Sequence, residues 1–342
     1  VEPRKPPVIA DVARAAGVSV PTVSRVLNGS VPVSEERRAR VMAAVKALDY
    51  RPNGAARSLA SQTGSMIAVF ATNTMRYGYA ATIQGVEEAA RRAGLMVVVT
   101  VVATGDDDVV EAAVDHALGQ PLLGAVVLDF DPPGSTTLAR LPHWLPAVAA
   151  ASGASSDEAR PRVYMDDRTA AAHATRYLLD LGHRTVHHVA IPSAGGSARV
   201  HGWRTALTDA GIEPPSVVHP GWDPLAARDV GLRLAGNPDV TAILAGNDEL
   251  AMGLIKGLVD GGRHVPGDVS VVGFDDHPLS QLWIPPLTTV RQDFVRLGKQ
   301  AVELLVDQTT SGQDAASVRM VPDLIVRESA GPERGRAGAG RP

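Results

Sequence analysis

The chain has 342 residues, 45% hydrophobic and 20% charged, with no cysteine; this length fits two or three domains, and the missing thiols exclude a disulfide framework and a thiolate zinc site. No run of about 18 apolar residues is present, and the start VEPRKPPVIADVARAAG lacks the apolar stretch of a signal peptide, so a cytoplasmic protein without membrane contact is expected. Through Thr63 ten Lys and Arg stand against five Asp and Glu, while the remainder carries an acidic excess that brings the net charge to −4, so only the head suits a polyanion.

In the head, Ile9, Val12, Ala13 and Ala16 fall at helical spacing and predict a helix ending at Gly17, a residue that takes the left-handed turn at no steric cost. Ser19 is placed to cap a second helix over about Val20–Asn28, and Pro21 suits its first turn because it has no amide to leave unbonded. Val23, Val26 and Leu27 face inward there, which leaves Val20, Pro21, Thr22, Ser24 and Arg25 near the exposed side. Two short helices joined at a tight glycine turn form a helix-turn-helix, whose second member is sized for the major groove of DNA. Arg25 can read a guanine edge through two parallel hydrogen bonds, and Thr22, Ser24 and Asn28 can anchor phosphates. A third helix follows in VSEERRARVMAAVKALDY, with Ser34 as its N-cap and Val41, Val45 and Leu48 as its packing stripe.

The wording DVARAAGVSVPTVSRVLNG, followed by VSEERRARVMAAVKALDYRPNGAARSLAS, resembles the lactose-repressor (LacI/GalR) family of bacterial transcription regulators. The likeness continues through LGHRTVHHVAIP, ARVHGW, AILAGNDELAMGLIKGL, VPGDVSVVGFDD and IPPLTTVRQDFVRLGKQAVELL, in order and over nearly the whole chain. The resemblance implies that Asn53–Ala60 form a hinge helix that folds on the operator, with Leu59 as a wedge between base steps of the minor groove. The DNA-contacting set is then Ser19, Val20, Pro21, Thr22, Ser24, Arg25, Asn28, Ser34, Asn53 and Leu59. Val20 and Pro21 stand where the family varies to select operators, and they offer no bidentate donor.

From Ser65 onward, short apolar runs alternate with helical segments (SMIAVFAT, LMVVVTVV, LGAVVLDF, then VHHVAIP, VTAILAG and DVSVVGFDD), the rhythm of βαβ units around parallel sheets. The expected architecture is an all-α helix-turn-helix head on an α/β two-lobed body like a periplasmic binding protein. Its segments are residues 1–50 for DNA binding, 51–63 for hinge and linker, and 64–329 for effector binding and dimerisation. The N-lobe covers about 64–165 and 294–320, the C-lobe about 166–290 and 321–329, and 330–342 form a disordered tail. Ligands of such sheets bind beyond the carboxyl ends of the strands, where Thr72, Asn73, Arg199, Asn247 and Asp275 fall. These groups can hold adjacent sugar hydroxyls, with Trp222 covering an apolar sugar face. The resemblance implies effector-binding roles for Arg199, Asn247, Asp275, Trp222 and Phe294, while Asn247 also reads as a helix cap, Asp275 as a turn residue and Trp222 as packing.

The chain departs from the lactose-type pattern at Ala151 and Ser152, where a carboxylate is absent, and at Arg76, Tyr77 and Tyr79, which it brings to the cleft mouth. Arginine beside tyrosines suggests an acidic or phosphorylated sugar, and Thr72 and Tyr79 complete the effector set. His183, His187 and His188 read as surface or packing residues because neighbours on a strand point to opposite faces. Asp167 reads as a cap of RTAAAHATRYLLDLGH, and no nucleophile and base pair up, so no enzyme, metal or cofactor is implied. The expected protein is a homodimer on a palindromic operator that represses carbohydrate-utilisation genes until a sugar or sugar derivative releases it; a purine-type corepressor and a sugar-binding protein without DNA function are the alternatives.

Overall fold

Gly17 separates the first two helices of the head. α1 (Ile9–Ala16) stops there because the backbone turns left-handed, φ 63°, and the Gly17 amide closes the turn onto Ala13 and Arg14. α2 (Val20–Asn28) and α3 (Glu35–Ala47) complete a three-helix core of Val12, Ala13, Ala16, Val23, Val26, Val41, Ala44 and Tyr50. The stripe expected at Val45 and Leu48 is only partly buried. Ala44 and Tyr50 are the buried members instead, a small side chain on the helix and a large one just beyond its end. The computed structural model describes residues 7–28, 33–51, 65–154, 160–193, 198–311 and 316–333. The chain divides into two compact units, Val1–Thr63 and Gly64–Pro342.

The second unit begins with the βαβ rhythm expected of it. β1 (Met66–Ala71), α4 (Tyr77–Arg92), β2 (Met96–Val101), α5 (Asp107–Leu118), β3 (Leu122–Asp129), α6 (Pro132–Arg140), β4 (Ala147–Ala151) and β5 (Arg162–Met165) follow in turn. A second series comprises α7 (Asp167–Asp180), β6 (His187–Val189), α8 (Ala198–Asp209), α9 (Pro224–Ala235), β7 (Ala242–Ala245), α10 (Asp248–Asp260), β8 (Ser270–Asp275) and β9 (Thr288–Arg291). α11 (Phe294–Ser311), β10 (Val318–Met320) and β11 (Asp323–Ile325) close the chain.

The strands make two sheets, ordered β10-β5-β4-β3-β1-β2 and β11-β9-β8-β7-β6. All their pairings are parallel except β11 on β9, an antiparallel edge. Each sheet is buried on both faces, which is why its central strands read as unbroken Val, Ala, Leu and Ile. The chain passes between the lobes at residues 165–167, 291–294 and 320–323, so α11 belongs to the first lobe although it follows β9 of the second. It lies against α4 at backbone distance: a Cβ on Gly298 would stand 2.2 Å from the Thr82 carbonyl oxygen.

Residues 330–333, expected to open a disordered tail, are instead bonded to the second lobe. The Gly331 amide donates to Ser270 Oγ at 3.0 Å and the Glu333 amide to the Leu181 carbonyl at 3.2 Å. Ser329 beside them is fully buried, so the chain end is part of that lobe's packing. The rest of the expected tail lies outside the described residues.

Candidate functional site

On the head, the side chains expected to meet DNA are mostly at the surface. Ser19, Val20, Pro21 and Arg25 are exposed, and Thr22 and Ser24 are half-buried on the same helix whose Val23 and Val26 fill the core. Ser19 and Thr22 share a hydroxyl hydrogen bond of 2.9 Å, and the Ser19 carbonyl accepts from the Thr22 and Val23 amides, so Ser19 starts α2. Ser34 stands at the N-cap of α3, but its exposed hydroxyl makes no capping bond. Asn28 ends α2, with its side chain outside the described set, as are Asn53 and Leu59 altogether.

In the body, one cavity of about 320 Å³ gathers polar groups from the strand ends of both lobes. Its most constrained member is Arg199, in the first turn of α8. The Arg199 Nε donates to Asp167 Oδ2 at 2.8 Å, Nη1 donates to the Gly246 carbonyl, and Nη2 stands 3.6 Å from Asp275 Oδ1. The guanidinium lies over the Phe274 ring at 4.0 Å. Burial works against its charge, but the carboxylates of Asp167 and Asp275 hold its pKa above the ordinary value.

Asp275 ends β8 with φ 115°, followed by Asp276 at 53°; two left-handed residues in a row store strain that points the side chain at the cavity. Its Oδ1 is buried without a hydrogen-bond partner among the described residues, and burial pushes its carboxyl well above the ordinary range despite Arg199. Asn247 is both cap and lining: its Oδ1 accepts from the Leu250 amide at 2.8 Å at the start of α10. Trp222 packs on the apolar cluster of its lobe and carries the Arg76 guanidinium 4.4 Å from its ring centroid. Phe294, the first residue of α11, meets Tyr77 and Phe130 edge-on at 5.8 and 6.1 Å.

Other positions differ from the expectation. Thr72 does not line the cavity; its hydroxyl donates to Asp131 Oδ2 at 2.6 Å, as does the Tyr79 hydroxyl. Tyr79 reaches the cavity by its ring while its polar end is committed inside the wall, so Thr72 and Tyr79 position the wall through Asp131. Asp166, not Asp167, caps α7, accepting from the Thr169 amide at 3.0 Å. That frees Asp167 to turn inward, where it accepts from Arg199 and, at 2.7 Å, from Gln292 Nε2; burial raises its carboxyl to about 6. Asp129, Ser135 and Arg162 also line the cavity and were not singled out from sequence. Their convergence depends on β3, β4 and β5 lying side by side.

An anionic effector fits these walls poorly. Asp129, Asp167, Asp248, Glu249 and Asp275 outnumber Arg76, Arg162 and Arg199 along the lining. His183 and His188 lie away from the cavity: His183 bonds to Thr241 and Ser270 at 3.0 Å, and His188 to the Leu244 carbonyl at 2.8 Å.

Comparison with known proteins agrees with this layout. Residues 8–53 match the model of bacterial regulatory proteins, lacI family, and residues 175–330 that of the periplasmic binding protein-like domain. The lactose operon repressor of Escherichia coli (strain K12) is 30% identical over 327 residues, covering 94% of this chain and 90% of that protein. The chain belongs to the lacI family. A lac repressor dimer bound to operator and the anti-inducer ONPF superposes with a TM-score of 0.86 at 28% identity, covering 96% of this chain and 100% of that one. A complex of the transcriptional regulator CelR with cellobiose gives 0.69 at 29% identity over 95% and 100% of the two chains. Membership of the lacI family makes this chain a DNA-binding transcriptional regulator and not an enzyme. Among the described residues no helix is long and apolar enough to cross a membrane.

Proposed function

We propose that this lacI-family regulator acts in the cytoplasm as a homodimer on a palindromic operator, represses genes of carbohydrate use, and is released when a neutral sugar or sugar derivative enters the body cavity. The observation that carries the effector reading is the unbonded Asp275 Oδ1 beside Arg199, an acceptor aimed at a cavity whose lining carries no excess of positive charge. A sugar hydroxyl donates to that oxygen and removes the penalty of leaving it buried without a partner. Arg199, Asn247 and Asp275 supply the polar contacts, and Trp222 and Phe294 the apolar ones.

On the DNA side, Arg25 reads a base from α2 while Thr22, Ser24 and Asn28 hold phosphates; Asn53 and Leu59, outside the described residues, complete the proposed DNA contacts. The names of relatives such as the lactose operon repressor support the sugar class. The test is fluorescence anisotropy of promoter fragments selected by the full chain, titrated with a sugar panel. Release of DNA by a neutral sugar is expected; a chain that binds no DNA, or DNA that no sugar displaces, counts against the reading.

A further inference from the structure

The cavity has a second polar grip, on its N-lobe wall. Arg162, at the start of β5, reaches along the sheet to Asp129 at the end of β3, with Nη1 3.5 Å from Asp129 Oδ2 and 3.3 Å from the Gly153 carbonyl oxygen. Both side chains are only about a tenth exposed, at 9% and 10%. Asp129 Oδ1 accepts from the Ser135 hydroxyl, which fixes the carboxylate. The pairing of Arg162 is incomplete: its Nε and Nη2 donate to no group among the described residues, although the side chain lines the cavity. These two nitrogens are left to donate to a ligand in the cavity that the side chain lines.

The two grips are complementary. The C-lobe offers an unbonded acceptor, Asp275 Oδ1, and the N-lobe offers unbonded donors on Arg162, already neutralised by Asp129. The cavity is also lined by three aromatic rings in edge contact, Tyr77 with Phe294 at 5.8 Å and Phe294 with Phe130 at 6.1 Å between centroids. One end of this series touches the C-lobe grip, since Tyr77 meets His277, two residues past Asp275, at 4.8 Å. The other end is Phe130, the neighbour of Asp129. This chain of aromatic contacts reaches from one polar grip to the other, enough apolar lining for two pyranose rings, each of which has an apolar face and hydroxyls for a polar grip.

We infer that the effector is a neutral disaccharide-sized glycoside, one ring held by Arg199, Asp275 and Asn247 and the other selected by Arg162 and Asp129. This rests on the sugar-effector reading above and adds the size of the ligand and the residues that sense its second ring.

The experiment is isothermal titration of the full chain with cellobiose, lactose, maltose and trehalose, and with glucose and galactose, repeated on Arg162→Met and Asp129→Asn. At least one disaccharide is expected to bind the wild type about ten-fold or more tightly than either constituent monosaccharide, and that ratio is expected to fall to about three-fold or less in both variants. Asp129→Asn removes the charge while keeping a similarly shaped side chain, and serves if Arg162→Met does not fold. Monosaccharides that match every disaccharide, or a ratio unmoved by both variants, overturn this inference and leave the sugar-effector reading standing. Failure of every sugar to bind the wild type overturns both.

Discussion

The head and the body use opposite strategies to carry function. In the head eight buried residues among those described, mostly Val and Ala, hold three helices, and the side chains of α2 proposed to meet DNA are largely what that core leaves at the surface, Arg25 among them. In the body the polar side chains that line the cavity are themselves largely buried, with Arg199 6% exposed, Asn247 4% and Asp167 fully enclosed. These exposed head side chains therefore contribute little to stability and can vary to suit an operator. Body residues are tied into the fold, so changing them alters folding and recognition together.

Breaking that contrast most severely requires removing the body's central cation. Arg199→Met leaves Asp167 and Asp275 buried without their counter-charge, and a loss of about 3–5 kcal/mol in body stability is expected, read by urea unfolding. A loss below about 1 kcal/mol would mean that the two carboxylates do not depend on it.

A titration sharpens the same point. Asp167 is raised to about 6 by burial, so between its unfolded value near 3.8 and about 6 the folded state holds the proton more tightly. Its contribution to stability is therefore fully present below about pH 4 and lost as pH rises through about 6. Buried His188, pushed down to about 4, works with the opposite sign, since its unfolded state takes up the proton across the same window. The two nearly cancel in the wild type. In Asp167→Asn the downward component is gone, so the stability of the variant relative to wild type should climb by up to about 3 kcal/mol from pH 4 to 6.5. A difference that stays level across this range would refute the buried-proton account.

Surface function predicts a different signature. Arg25→Ala should weaken operator binding by about 1–3 kcal/mol and relax preference at one base pair, while the melting temperature of the head stays within about a degree or two. Equal weakening on all sequences, with a flatter salt dependence, would instead assign Arg25 to a phosphate. The smallest effect is expected at Ser34, whose hydroxyl makes no capping bond: Ser34→Ala should change head stability by about 0.5 kcal/mol or less, measured by thermal unfolding.

The same contrast explains what could be read from the sequence. Helix periods and the turn at Gly17 are local properties, and so is the alternation of apolar runs with helices, so the helix-turn-helix and the two parallel sheets were legible without coordinates. Arg199, Asn247 and Asp275, read from their place at strand ends, and Trp222 and Phe294, read from the family resemblance, all line one cavity. The misplaced residues are those whose direction depends on tertiary contacts. Thr72 turned away from the cavity because the carboxylate of Asp131, 59 residues on, accepts its hydrogen bond. Asp166 and Asp167 are adjacent acids, and only the packing of β10 against β5, which brings Arg319 onto Asp166, settles which one caps and which turns inward. Arg162 and Asp129 lie 33 positions apart on strands separated by β4, so no spacing rule connects them.

The reciprocity of binding offers the most direct test of the link between the two units. A sugar that binds the body should be titrated into the full chain by calorimetry, first free and then saturated with operator DNA. The account predicts that operator lowers the sugar's affinity by the same factor by which the sugar lowers operator affinity, at least about five-fold. Identical sugar affinity in the two titrations would contradict it.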